Sequence, residues 1–131
     1  MNYILCIFIP LILFGCNQQN RELNTKIIND SLCIFTNEAK NYGNDSFLVE
    51  AVKANHSKEY QDEYNKSYKN FKFPIDEKSC IAIPLDKIEK NAVNIIVLST
   101  INKTFRSRIC VLEDDSSISI KQVEAGKFTC D

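Results

Sequence analysis

The chain has 131 residues, of which 44% are hydrophobic and 25% charged, and its 16 basic side chains are balanced by 17 acidic ones. This length suits a single domain, and the balance gives no electrostatic case for binding nucleic acid or for a polybasic membrane patch. After residue 15 the sequence holds only two glycines, Gly43 and Gly126, so no glycine-rich loop is present to cradle a phosphate. We therefore expect no nucleotide site and no cofactor.

The N-terminal stretch over residues 3–14 is apolar and carries no charged side chain. As a helix it would span roughly 18 Å, well short of the ~30 Å hydrocarbon core of a bilayer. An apolar N-terminal segment of this length, followed at once by polar sequence, is typical of a secretory signal peptide. The tetrapeptide "LFGC" that ends at Cys16 resembles the lipobox of bacterial lipoproteins.

This resemblance implies a cleaved signal helix over residues 1–15 and a lipidated Cys16 that anchors the protein to a membrane. Residues 16–28, which begin "CNQQNRELN", would form a polar tether to a domain over residues 29–131. Because Asn17 is not the Asp that resembles an inner-membrane retention signal, we expect attachment to the periplasmic side of the outer membrane. The alternative is that the apolar stretch is a buried strand or helix and Cys16 a disulfide partner.

Removal of Cys6 with the signal and lipidation of Cys16 would leave four of the six cysteines, namely Cys33, Cys80, Cys110 and Cys130. An even set in a small exported chain predicts two disulfides in an oxidising compartment. Three pairings are formally possible. A metal site is disfavoured, because the sequence has no Cys-x-x-Cys pair and only one histidine.

Strand signals follow the turn residues Asn29 and Asp30, separated by further turn composition. The predicted segments are, in order, "SLCIFT" (31–36), "SFLVEAVKA" (46–54, a strand or a short helix), "NHSKEYQDEYNKSY" (55–68, ambiguous), the alternating "KNFKFP" (69–74), "SCIAIP" (79–84), "AVNIIVLSTI" (92–101), "TFRSRICVLE" (104–113) and "SISIKQVE" (117–124). About seven short strands without a sustained helix predict an immunoglobulin-like antiparallel β-sandwich, with an open barrel as the alternative.

Few residues offer catalytic or metal chemistry. His56 could act as a general base, but a single histidine in a polar stretch is more typical of a solvated surface, and we expect no enzymatic activity. Glu113, Asp114 and Asp115 lack the alternating spacing and the glycine of a calcium loop, which indicates a solvated turn and no metal site.

Three tyrosines recur every four residues in the ambiguous segment, at Tyr60, Tyr64 and Tyr68. Aromatic rings in a charged frame are typical anchors of protein interfaces, so these tyrosines are candidate contacts with a partner. The alternative is that they pack on the sandwich with their hydroxyl groups at the solvent edge.

The chain as a whole resembles the type VI secretion immunity periplasmic lipoproteins. The matching stretches are "LFGC", "SLCIFT", "NKSYKNFKFPIDEKSC" and "NAVNIIVLST". The resemblance implies that Cys33 pairs with Cys80, which leaves Cys110 to pair with Cys130. It also implies a binding domain that neutralises a toxic effector protein. The alternatives are a structural lipoprotein of the envelope or secretion apparatus, and a lysozyme inhibitor.

Overall fold

The computed structural model describes residues 21–38, 46–54 and 62–131 of the chain. Within these residues all of the regular secondary structure is strand, apart from two short 3-10 turns. The strands are β1 (Arg21–Glu22), β2 (Asn24–Ile28), β3 (Ser31–Phe35), β4 (Phe47–Lys53), β5 (Asp62–Tyr68), β6 (Ile81–Pro84), β7 (Val93–Ser99), β8 (Thr104–Asp114) and β9 (Ser117–Gln122), with short 3-10 turns at Glu77–Ser79 and Leu85–Lys87. The predicted signal helix and the lipidation site Cys16 lie outside the described residues.

The strands form two sheets. The large sheet has the order β1-β8-β7-β4-β5, with β9 also paired to β8, and the small sheet has the order β2-β3-β6. Every pairing is antiparallel except the one between β1 and β8. Three strands facing a β5-β4-β7-β8 layer form an immunoglobulin-like sandwich, so the predicted fold class is confirmed.

The core lies between the two sheets. Alternate residues of the central strands point inward, as the period of two requires, and they form one buried cluster. Its fully buried members include Val49, Ile96, Leu98, Phe105 and Ile109 from the large sheet and Leu32, Ile34 and Ile83 from the small one. Each such side chain contributes about 1.5–3 kcal/mol by leaving water.

The predicted tether over residues 16–28 is wrong for residues 21–28, which form β1 and β2. Leu23, between the two strands, is 1% exposed, and its backbone N–H donates to the Arg106 carbonyl over 2.9 Å. β1 and the first three residues of β2 are polar, because both strands lie at sheet edges and bury few side chains, so composition alone did not reveal them. The domain therefore includes Arg21, and the structure describes nine strands rather than about seven.

The alternation in "KNFKFP" does not produce a strand. Residues 69–75 are irregular, with Phe73 buried and Phe71 exposed. Thr36 fastens this segment, since its N–H and its hydroxyl both donate to the Pro74 carbonyl over 2.9 Å. The segment crosses from β5 of the large sheet towards β6 of the small one, which is why it pairs with neither.

Both favoured disulfides are present. Cys33 of β3 is bonded to Cys80, directly before β6, and their Cα atoms are 5.4 Å apart. Cys110 of β8 is bonded to Cys130 across a Cα–Cα distance of 5.9 Å. The first links the small sheet to the loop that precedes β6, and the second fastens the C-terminal segment to the large sheet.

The C-terminal segment after β9 covers part of the outer face of the large sheet, which the sequence did not predict. A second apolar cluster forms there around Val93 and Cys110, with Leu112, Val123 and Cys130 packed against it. Lys121 donates to the Cys130 carbonyl over 2.8 Å, and the Arg108 guanidinium lies 5.5 Å from the centroid of the Phe128 ring. The segment turns at Gly126, where a φ of 87° favours glycine.

Candidate protein-binding surface

Strand β5 forms one edge of the large sheet. It pairs with β4 on one side, and no described strand pairs with its other side. Within the described residues, its backbone N–H and C=O groups on that side have no strand partner, and such an edge is a template for strand addition. Asn65, Lys66 and Ser67 are exposed along this edge.

Two of the three predicted tyrosine contacts, Tyr64 and Tyr68, lie in β5. Residues four apart lie on the same face of a strand, and the Tyr64 and Tyr68 hydroxyl oxygens are 3.3 Å apart. Both side chains turn towards the inner face of the sheet, where Tyr68 is 8% exposed and Tyr64 is half-buried against the core. Tyr60, the third predicted contact, lies outside the described residues.

Tyr68 is part of a contiguous aromatic cluster. Its ring stacks on Phe47 of β4 at a centroid distance of 4.9 Å. Phe73 meets Phe47 edge-on at 5.8 Å and also lies 6.0 Å from Phe105, a core residue of β8. Such pairs add to the free energy of area burial, so the Tyr68 end of β5 is joined to the core by aromatic rings as well as by the β4–β5 ladder.

Phe71 is the exposed member of this cluster. It packs edge-on against Tyr68 at 5.1 Å and against Phe47 at 6.3 Å, and yet it is 46% exposed. Phe71 was not among the predicted contacts, because its alternation with Phe73 suggested an ordinary strand. The signal that could have identified it is an aromatic residue between two lysines, Lys69 and Lys72.

The charge around these rings is mixed. The Lys66 ammonium lies 5.0 Å from the centroid of the Tyr68 ring, a cation–π distance. Glu63 accepts a hydrogen bond from the backbone N–H of Glu89 over 3.4 Å, and burial raises the pKa of its carboxyl. We use the name β5 surface for Tyr64, Asn65, Lys66, Tyr68 and Phe71.

Burial also raises the pKa of Tyr68 well above its ordinary value, and the hydrogen bond and charge of Tyr64 act in the same direction. The hydroxyl therefore stays protonated at every physiological pH. The groups that the β5 surface presents to solvent are therefore the aromatic carbon of Phe71 and the Lys66 ammonium, whereas Tyr68 supports them from an almost buried position.

The other predicted candidates are dispersed. His56 lies outside the described residues. Glu113, Asp114 and Asp115 are exposed at the β8–β9 hairpin, where the Asp114 carboxylate accepts from the Asp115 N–H over 2.8 Å, as in a turn. Throughout residues 21–38, 46–54 and 62–131 no three His, Cys, Asp or Glu side chains are grouped as metal ligands. In the same part of the chain no helix is long and apolar enough to cross a membrane.

Comparisons with protein-family models, with curated proteins and with solved structures find no match to this chain.

Proposed function

We propose that this chain is a non-enzymatic lipoprotein, anchored through Cys16 to the periplasmic side of the outer membrane, whose β-sandwich binds a protein partner. The observation that carries the binding role is the β5 surface, which joins a partly exposed aromatic cluster to a strand edge that no other described strand covers. Interfaces are enriched in such aromatic anchors. The two disulfides support export, because they persist in oxidising compartments.

The partner we propose is a toxic effector of a type VI secretion system, which this protein would neutralise. Support for this identity comes from the sequence resemblance in "LFGC", "SLCIFT", "NKSYKNFKFPIDEKSC" and "NAVNIIVLST". An anchored inhibitor fits a toxin that acts in the periplasm. Two acyl chains hold a protein stably on a membrane, whereas one chain alone is marginal.

A survival assay tests the immunity role. The gene adjacent to the one for this chain is expressed with a periplasmic export signal, with and without this protein. We expect growth arrest without the protein and growth with it. If cells die equally in both cases, the adjacent gene product is not the partner and the immunity proposal loses its support.

Variants of the β5 surface test where the partner binds. The double variant Lys66→Glu/Phe71→Ala should weaken partner binding by at least about tenfold, since hot-spot residues cost more than about 1 kcal/mol each when removed. The matched control is Ile118→Ala, which changes an exposed apolar residue at the far β8–β9 hairpin. Equal affinity of the double variant and the control would place the binding surface elsewhere.

The anchor has its own test. Cys16→Ser should abolish labelling by radioactive fatty acid and release the protein into the soluble periplasmic fraction. Persistent membrane attachment of this variant would contradict lipidation at Cys16.

A further inference from the structure

Ile101 is the most exposed of the large apolar side chains that the structure describes. It lies at the tip of the hairpin between β7 and β8 and is 81% exposed. The sequence placed it inside a strand, but β7 ends at Ser99. An aliphatic side chain in this position contributes nothing to the core.

The hairpin holds Ile101 in a defined place. The Thr100 N–H donates to the Lys103 carbonyl over 2.8 Å, and the Thr100 hydroxyl oxygen accepts from the N–H groups of Asn102 and Lys103 over 3.3 and 2.9 Å. These bonds form a closed turn. Ile101 therefore projects from an ordered hairpin, with Lys103 close behind it in the chain.

Strand register shows which other residues share this end of the sandwich. Leu48 is paired with Ser67 and with Ser99, and Ser99 is paired with Thr104, so β5 and β7 end and β8 begins at the same end. Lys69 and Lys72 follow β5 at this end, and both are exposed. We call this set, Lys69, Lys72 and residues 100–103, the loop end.

The first described strand, β1, also begins at the loop end. β1 runs parallel to β8, and Arg21 is paired with Phe105, the second residue of β8. Cys16 is five residues before Arg21, and five residues span at most about 18 Å even when fully extended. A lipid on Cys16 would therefore hold Arg21, and with it the loop end, within about 18 Å of the bilayer.

The chemistry of the loop end fits the surface of a membrane that contains anionic phospholipid. An aliphatic side chain can enter the boundary between headgroups and acyl chains, where apolar area leaves water. Lysines near it can direct their ammonium groups to phosphates while their stems stay in contact with apolar surface. The overall charge balance of the sequence conceals this arrangement, because only the fold brings Lys69 and Lys72 to the same end as Ile101.

We propose that the loop end is a membrane-contact site in which Ile101 inserts among the headgroups of an anionic bilayer and the neighbouring lysines contact phosphates. This proposal rests on the proposed lipidation of Cys16. Its consequence is a fixed orientation of the domain, with the strands directed away from the bilayer and the unpaired edge of β5 facing sideways, open to a partner.

Tryptophan fluorescence tests the contact, since the chain has no tryptophan of its own. Ile101→Trp is introduced into the full chain, which is purified from membranes and reconstituted into vesicles of phosphatidylethanolamine and phosphatidylglycerol. We expect a blue-shifted emission that brominated phospholipid quenches strongly. The matched control is Ile118→Trp at the opposite end of the sandwich, which should emit at long wavelength and resist this quenching.

Flotation of the vesicles distinguishes failure of the lipid anchor from failure of the membrane contact. If the chain floats with the vesicles but the fluorescence of the Ile101→Trp protein is no more quenched than that of the control, the membrane-contact proposal is overturned and the anchor stands. If the chain does not float, both the anchor and the contact are overturned. Quenching confined to the Ile101→Trp protein supports the contact.

Discussion

Tyr68 lies flat against Phe47, with ring planes 13° from parallel and centroids 4.9 Å apart. The two residues are directly opposite each other in the β4–β5 ladder. Cross-strand aromatic pairs of this kind stabilise a sheet. The pair secures the edge strand on which the proposed binding surface depends.

Removing this ring should loosen β5. We expect Tyr68→Ala to lower the free energy of unfolding by about 3 kcal/mol, because a large buried aromatic side chain leaves a cavity. Tyr68→Phe keeps the stacked ring and should cost less than about 1.5 kcal/mol, the contribution of one hydrogen bond. Urea unfolding of the oxidised protein measures both. Equal losses for the two variants would show that the stacking contributes nothing.

Alkaline pH should destabilise the fold through Tyr68. Its pKa is raised in the folded state from 10.0 in a free side chain. Above about pH 10 the unfolded chain therefore loses a proton that the folded chain retains, and stability falls as the pH rises. Unfolding midpoints between pH 9 and 11 should fall more steeply for the natural protein than for Tyr68→Phe. If the unfolding midpoints of the two proteins fell in parallel with pH, ionisation of Tyr68 would not be the cause of the loss of stability.

The N-terminal strands should be part of the folding unit. Leu23→Ala removes a side chain that is 1% exposed and should cost about 2–5 kcal/mol. Ile28→Ala, at the end of β2, is the matched control and should cost less, about 1–2 kcal/mol, because Ile28 is 37% exposed and less of its apolar area leaves water on folding. If Leu23→Ala and Ile28→Ala had the same free energy of unfolding, burial of Leu23 would not stabilise the domain and residues 21–28 would act as a tether.

The two disulfides should differ in their effect. They join residues separated by 47 and 20 positions, and the entropy model gives about 4 kcal/mol for the longer loop and about 3 kcal/mol for the shorter one. The double variant Cys33→Ala/Cys80→Ala should therefore unfold at lower urea concentration than Cys110→Ala/Cys130→Ala. The opposite order would mean that the Cys110–Cys130 disulfide raises the free energy of unfolding by more than its loop closure accounts for, through the packing of the C-terminal segment.

The sequence by itself determined the strands of the core and the fold class. The runs "SLCIFT", "AVNIIVLSTI" and "TFRSRICVLE" are rich in apolar and β-branched residues because central strands bury their side chains. Their composition alone therefore predicts them as strands. The cysteine pairing was also favoured correctly, although it depended on a resemblance.

Only the tertiary structure decided the edges and the surfaces. β1 and the first three residues of β2 are polar because edge strands bury few side chains. Residues 71–73 alternate like a strand but cross between the two sheets. Tyr68 was a predicted contact and proved almost buried, whereas Phe71 and Ile101 proved exposed. Exposure depends on which distant strand covers a residue. The grouping of Ile101 with Lys69 and Lys72 likewise arises from strand register, which brings residues about 30 positions apart to one end of the sandwich and which local sequence does not encode.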